Sequence, residues 1–178
     1  GQQLVLEAEG REMKVMLPLI GAYQAANALV AAGLVIATGG NVATTVSNLA
    51  RLQPVRGRLE RAVIAKSGAP VYVDYAHTPD ALEAAIDALK PHAKGRLIVV
   101  FGAGGDRDTG KRPEMGAIAV QFADYVIVTD DNPRTEDPAA IRAEILAAAP
   151  GAIEIAGRRD AIAAAIADSG PDDIILIA

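Results

Sequence analysis

From residue 71 onward the chain alternates between short apolar runs and stretches with helical periodicity, and no other feature constrains its fold as strongly. The runs lie at 71–74, 96–101, 125–129, 153–155 and 174–177. Between them, Thr78-Pro79-Asp80 supplies a capping hydroxyl, a first-turn proline and an acid, opening a helix with an apolar stripe at Leu82, Ile86 and Leu89. Further helices are predicted over 113–122, after Asp137-Pro138, and over 159–167. A strand that is apolar on both sides must be covered on both sides. This pattern therefore predicts a doubly wound, mostly parallel α/β sheet with helices on both faces. In such sheets ligands meet the loops beyond the carboxyl ends of the strands.

Before residue 57 the rhythm differs. Residues 3–8 and 12–17 read as two strands around Glu9-Gly10-Arg11, followed by an Ala-rich helix over 22–37, Gly39-Gly40, and a second helix over 41–50. Pro54 and Gly57 break the pattern, so the boundary is set there, giving segments 1–57 and 58–178. No charged residue stands between Lys14 and Arg51, which raises the question of a membrane span. Pro18, Gly21, Gln24, Asn27 and Gly33 interrupt that stretch, and Ala rather than Leu supplies its apolarity. It reads as a buried helix of a globular domain, with Asn27 as a satisfied core amide.

The formal charge of −5 argues against a nucleic-acid partner, which would require a clustered basic face. The chain has no Cys, which excludes disulfides, zinc ribbons and thiolate catalysis, and its two His residues leave no material for a multi-histidine metal site. Gly1 to Glu9 lack a basic, then apolar, leader pattern, so a cytoplasmic protein is the expectation.

Three polar motifs follow three apolar runs. The first is Gly102-Ala103-Gly104-Gly105-Asp106-Arg107-Asp108-Thr109-Gly110-Lys111-Arg112-Pro113, a strand-to-helix passage of the kind that binds anions on exposed amides. It fails the dinucleotide fingerprint at Arg107, and it fails the phosphate loop at Arg112, where a hydroxyl should hold magnesium. The competing reading is a turn with solvated charges. The second is Thr129-Asp130-Asp131-Asn132-Pro133-Arg134, whose Arg134 offers a planar fork for a carboxylate or phosphate; an Asn-Pro turn with a surface Arg is the alternative. In the third, Asp74-Tyr75-Ala76-His77-Thr78-Pro79-Asp80, Asp74 can accept from ribose hydroxyls and His77 can meet a base. Helix capping explains the same residues nearly as well.

Residues 74–82, 104–113 and 131–134, with Gly21-Ala22-Tyr23-Gln24-Ala25-Ala26-Asn27 and Gly57-Arg58-Leu59-Glu60, resemble the Mur ligase family over essentially the whole chain. The resemblance implies a Rossmann-like C-terminal ligase domain over 58–178, preceded by the end of a central α/β ATP-binding domain over 1–57. It implies an ATP- and Mg²⁺-dependent ligase joining meso-diaminopimelate to UDP-N-acetylmuramoyl-L-alanyl-D-glutamate through an acyl phosphate, in peptidoglycan precursor synthesis. On this pattern Arg107, Asp131, Asn132, Pro133 and Arg134 bind diaminopimelate, with Arg134 on the distal carboxylate that lysine lacks. Asn27, Arg58, Asp74 and His77 bind ATP, and no residue here is assigned as a nucleophile or metal ligand. Gln24 stands where related ligases carry a first Asn.

The partners so implied are the two small-molecule substrates, with no nucleic acid and no membrane, and a monomer. The family's phosphate loop, modified lysine and UDP-binding domain should precede Gly1, and its Gly-rich His-Glu segment should follow Ala178. A fragment unable to catalyse alone is therefore the expectation. A sister ligase adding another amino acid such as lysine, or a stand-alone nucleotide or amino-acid binding module, are the competing readings.

Overall fold

Alternating exposure along Gln2–Ala8 (β1) and Arg11–Leu17 (β2) folds these segments into an antiparallel hairpin in which Gln2 faces Leu17 and Ala8 faces Arg11. The computed structural model describes residues 1–8 and 10–178; Glu9, placed by the sequence pattern in the hairpin turn, lies outside the described residues. The chain divides into two units, Gly1–Val55 and Arg56–Ala178. In the first, β2 packs Val15 and Leu17 against Ala25, Ala28 and Ala32 of Ala22–Ala37 (α1) and Val46 of Val42–Asn48 (α2). Asn41 caps α2 by accepting the Thr44 N–H at 3.0 Å.

Helix α1 corrects the expectation of a buried helix. Helical spacing puts Ala25, Ala28 and Ala32 on one narrow face, while Leu29, Val30, Leu34 and Val35 are exposed on the rest of the surface. Asn27 falls outside the alanine stripe and is exposed, so it is not a core amide. Among the described residues no helix is long and apolar enough to cross a membrane.

The second unit is built on a six-stranded sheet. Its strands are Glu60–Ile64 (β3), Pro70–Val73 (β4), Leu97–Phe101 (β5), Tyr125–Val128 (β6), Ile153–Glu154 (β7) and Ile174–Ile177 (β8), in the spatial order β3-β4-β8-β5-β6-β7. All neighbours are parallel except β3, which runs antiparallel to β4 along one edge. The apolar runs became the parallel strands, whereas β3 carries no such signature. Four of its five residues are exposed and a bulge between Arg61 and Val63 breaks its period of two.

Helices Pro79–Leu89 (α3), Lys111–Phe122 (α4) and Pro138–Leu146 (α5) follow β4, β5 and β6, and they pack side by side. Arg158–Asp168 (α6) returns the chain from β7 to β8 on the other face, where Ala161 and Ala165 meet Ile98, Val100, Ile127 and Ile175. Crossovers of one hand require this arrangement, since the connection that travels backward must use the opposite face. The step from β4 to β5 leaves a gap, and the backward crossover from β7 brings β8 into it. The segments after Val73, Phe101, Val128 and Ile177 thus emerge along one edge.

The opposite edge is tied down by carboxylates. Asp173, only 6% exposed, accepts the N–H groups of Arg96 (2.7 Å) and Gly170 (2.9 Å) and the Arg96 guanidinium (2.8 Å). Asp124 accepts the Leu97 N–H at 2.8 Å and the Lys90 ammonium at 2.5 Å. Burial pushes the Asp173 carboxyl up, but the Gly170 and Arg96 hydrogen bonds outweigh it and hold the group below the ordinary carboxylate range. A lowered carboxyl stabilises the fold above the unfolded value, near pH 4, and ceases to do so as pH falls through its own lower value. Asp173→Ala is expected to lower urea stability at pH 7 by about 2–3 kcal/mol. Asp173→Asn should flatten the acid limb of stability below about pH 4; an unchanged limb assigns acid unfolding to other carboxylates.

Candidate functional site

The loop after β5, residues 102–110, and the loop after β6, residues 129–137, leave adjacent strands and interlock. Gly105 donates its N–H to the Asn132 carbonyl at 2.9 Å, and its own carbonyl accepts Nη1 of Arg134 at 2.5 Å. A Cβ at Gly105 would sit 1.9 Å from the Pro133 carbonyl oxygen, so this approach requires glycine. One residue on, Asp106 donates its N–H to Oε1 of Glu136 at 2.5 Å, and its carboxylate accepts the Thr135 N–H (3.0 Å) and hydroxyl (2.7 Å). The Thr135 hydroxyl, then its N–H, hold the Asp106 carboxyl below its usual range.

Backbone strain gathers at this edge. Among the described residues Leu59, Asp106 and Arg134 are the non-glycines at positive φ, at 51°, 52° and 51°. Each such residue costs on the order of 1–3 kcal/mol and persists only where its surroundings over-determine it. At Asp106 and Arg134 the hydrogen bonds just described do so, and Leu59 is held by its N–H to Oδ2 of Asp74 at 2.7 Å.

The loop after β4 completes the edge. Its Asp74 N–H joins the sheet through the Ile177 carbonyl at 2.9 Å. The Arg58 guanidinium lies over the Tyr75 ring at 5.1 Å, and the Tyr75 and His77 rings are 5.0 Å apart. Lys111, the first residue of α4, donates to the His77 carbonyl at 2.7 Å. A cleft of about 90 Å³ lies between these loops, lined by Asp74, His77, Gly104, Lys111, Asp131 and Arg158 among others.

The structure therefore brings Asp74, His77 and Asp131 to one cleft, with Arg58 stacked on Tyr75 at the same edge. Asn132, Pro133 and Arg134 form the turn docked on Gly104 and Gly105, and the Arg107 and Arg134 side chains are exposed. Asn27 belongs to the first unit. Among the described residues no three His, Asp or Glu side chains converge as a cation site.

Sequence reasoning missed three arginines here. The sequence pattern places Arg112 among the charges of an anion-binding loop, but α4 begins at Lys111, and Arg112 is 0% exposed between Glu136 and Glu144. The available signal was its spacing, since it shares a helical stripe with Met115, Gly116 and Ala119. Arg142, flanked by Ile141 and Ile145, pairs with Asp130 and Glu154. Arg158 opens α6 and donates to the Ala178 carbonyl at 2.9 Å, beside the cleft.

Residues 57–178 match the family model described as Mur ligase, glutamate ligase domain. The chain is 63% identical over all of its 178 residues to the UDP-N-acetylmuramoyl-L-alanyl-D-glutamate--2,6-diaminopimelate ligase of Zymomonas mobilis, of which it spans 37%. A solved structure of a ligase of that name superposes with a TM-score of 0.66 at 36% identity, over 98% of this chain and 36% of that one. The Mycobacterium tuberculosis folylpolyglutamate synthase, solved with ADP and AMPPCP, superposes with a TM-score of 0.69 at 27% identity, over 90% of this chain and 38% of that one.

The interlock makes the two glycines unequal. Gly105→Ala meets backbone and is expected to cost about 1–3 kcal/mol in urea unfolding while accelerating hydrogen exchange at the Asp106 and Thr135 amides. Gly104→Ala meets Nη1 of Arg134 at 2.9 Å, on a side chain that can shift, and backbone only at the ordinary contact distance of 3.6 Å, and should leave stability nearly unchanged. Equal costs at both positions would mean that the loops are not locked at Gly105.

Proposed function

The chain belongs to the Mur ligase family, and from that premise we propose that it is part of an ATP-dependent ligase that adds meso-diaminopimelate to UDP-N-acetylmuramoyl-L-alanyl-D-glutamate in peptidoglycan precursor synthesis. Residues 58–178 are then its C-terminal ligase domain and 1–57 the end of its central ATP-binding domain. The observation that carries this reading is the Arg134 turn. The Asn-Pro turn is docked on the glycine loop, and its guanidinium is anchored through Nη1 alone among the described residues and remains exposed at the strand-end edge. A rigidly based, exposed planar fork suits a carboxylate. Two relatives named as 2,6-diaminopimelate ligases share the whole chain, at 63% and 57% identity.

In this reaction the D-glutamate γ-carboxylate takes the γ-phosphoryl group of ATP, forming an acyl phosphate and releasing ADP. The amine of diaminopimelate then attacks the acyl phosphate, forming the amide and releasing phosphate. The work required of this chain is positioning and charge neutralisation. Arg107, Asp131, Asn132, Pro133 and Arg134 are assigned to the incoming amino acid. Asn27 in the first unit, and Arg58, Asp74 and His77 in the second, are assigned to ATP. The Tyr75–His77 ring pair with Arg58 and the Asp74 carboxylate fits a base and ribose chemically. Mg²⁺ accompanies ATP in this reading, and no residue of this chain is assigned to it. The partners are the small-molecule substrates, with no nucleic acid and no membrane, and the enzyme works as a cytoplasmic monomer.

An exposed arginine–carboxylate pair is worth only about 0.2–1 kcal/mol in water, but removing one partner of a pair that bound substrate desolvates costs about 2–5 kcal/mol, because the other charge is left buried and unpaired. Arg134→Ala in the full-length protein is therefore expected to reduce the preference for meso-diaminopimelate over lysine at least about 30-fold in kcat/KM. An undiminished preference sinks the assignment of Arg134. An unmodified enzyme that prefers lysine identifies a sister ligase instead.

A further inference from the structure

We propose that Arg112 is the positioning residue that sets the spacing between the two substrate-gripping arginines, Arg107 and Arg134; this inference rests on the function proposed above. Arg112 is wholly buried, yet its guanidinium reaches three separate elements. Nη2 donates to Oε1 of Glu136 at 2.8 Å in the loop after β6, and to the Gly104 carbonyl at 3.4 Å in the loop after β5. Nη1 donates to Oε2 of Glu144 at 3.0 Å on α5. The pairing, with Glu136 first, raises the Arg112 guanidinium and lowers the Glu136 carboxyl, so both stay ionised.

The connection runs onward to both arginines. The same Oε1 of Glu136 that takes Arg112 also accepts the Asp106 N–H, and Asp106 in turn holds Thr135 through its N–H and hydroxyl. Asp106 immediately precedes Arg107, and Thr135 immediately follows Arg134. The backbone on one side of each substrate-gripping residue is thus fixed to the other loop, and Glu136, which accepts the Asp106 N–H, is itself held by Arg112. Lysine could not replace this fork, because a single ammonium has no rigid geometry to serve acceptors on three elements. Well-packed apolar residues of similar volume often match or exceed the stability of a buried ion pair. Defining the distance between two guanidiniums, and so the length of dicarboxylate amino acid they accept, is a role that such a residue could not fill.

The two arms of Arg112 allow a test in the full-length protein. Arg112→Lys is expected to raise KM for meso-diaminopimelate at least tenfold, to change KM for ATP less than twofold, and to speed hydrogen exchange at the Asp106 and Thr135 amides. Glu136→Gln, which loosens the loop arm while leaving the α4 stripe intact, should give the same split even if Arg112 variants fold poorly. Glu144→Gln, which loosens the α5 arm, should lower the melting temperature and leave KM for diaminopimelate within twofold. If Arg112→Lys and Glu136→Gln lower the melting temperature with both KM values unmoved, Arg112 is structural and the inference is overturned. If the unmodified protein shows no dependence on diaminopimelate at all, the functional reading itself falls and this inference with it.

Discussion

A parallel strand cannot return to its neighbour through a tight turn, and the site depends on that constraint. Each strand of the parallel set is followed or preceded by a crossover, so the carboxyl ends of β4, β5, β6 and β8 lie along one edge. Uniform handedness then sends α3, α4 and α5 over one face and α6 back over the other. Because β8 enters between β4 and β5, its end leaves a space between the segments that leave those two strands. The cleft lined by Asp74, Gly104 and Ala178 opens in that space, beyond the end of β8.

The two edges of the sheet divide the physical labour. At the amino-terminal edge Asp173 and Asp124 receive the N–H groups of Arg96 and Leu97 in relaxed backbone. At the carboxyl-terminal edge the backbone is strained at Leu59, Asp106 and Arg134. Strain of this size survives only where hydrogen bonds leave the loop no cheaper conformation, and Asp106–Thr135 and Arg134–Gly105 are such bonds. The stiffness needed to hold ligand-binding groups in place therefore comes from loop-to-loop contacts, not from the strands.

That difference explains what could be read from the residues alone. The parallel strands β4, β5, β6 and β8 and their helices were legible because burial on both faces leaves an unbroken apolar run, and Thr78 announced its own cap on α3. Strand β3 was not, since an exposed, bulged edge strand has neither the run nor the alternation. Asn27 was misread because an alanine-rich helix gives little contrast between its faces; only packing against Val15 and Leu17 selects the Ala25–Ala28–Ala32 stripe. The positions of Asp74, His77, Asp131 and Arg134 followed from their place after strands. The interlock did not, because the pairs Asp106–Thr135 and Arg112–Glu136 join residues 29 and 24 apart in sequence.

The two buried arginines share one logic. Arg112 on α4 and Arg142 on α5 occupy positions in apolar helical stripes, and each reaches out of its stripe to a carboxylate at the strand-end edge, Glu136 and Asp130 respectively. Asp130 also accepts the Gly157 N–H at 2.9 Å, so the Arg142 pair ties the start of α6 to the loop after β6. Each guanidinium gives up its hydration and regains most of it from its partners, the Arg112 Nε staying without one, an exchange that yields little net stability. What it does yield is direction, since a fork with fixed geometry admits one arrangement of its acceptors where an apolar side chain would admit several. Helices that pack only through methyl groups could slide against these loops; helices pinned through Arg112 and Arg142 cannot, and the loop bearing Arg134 inherits their position.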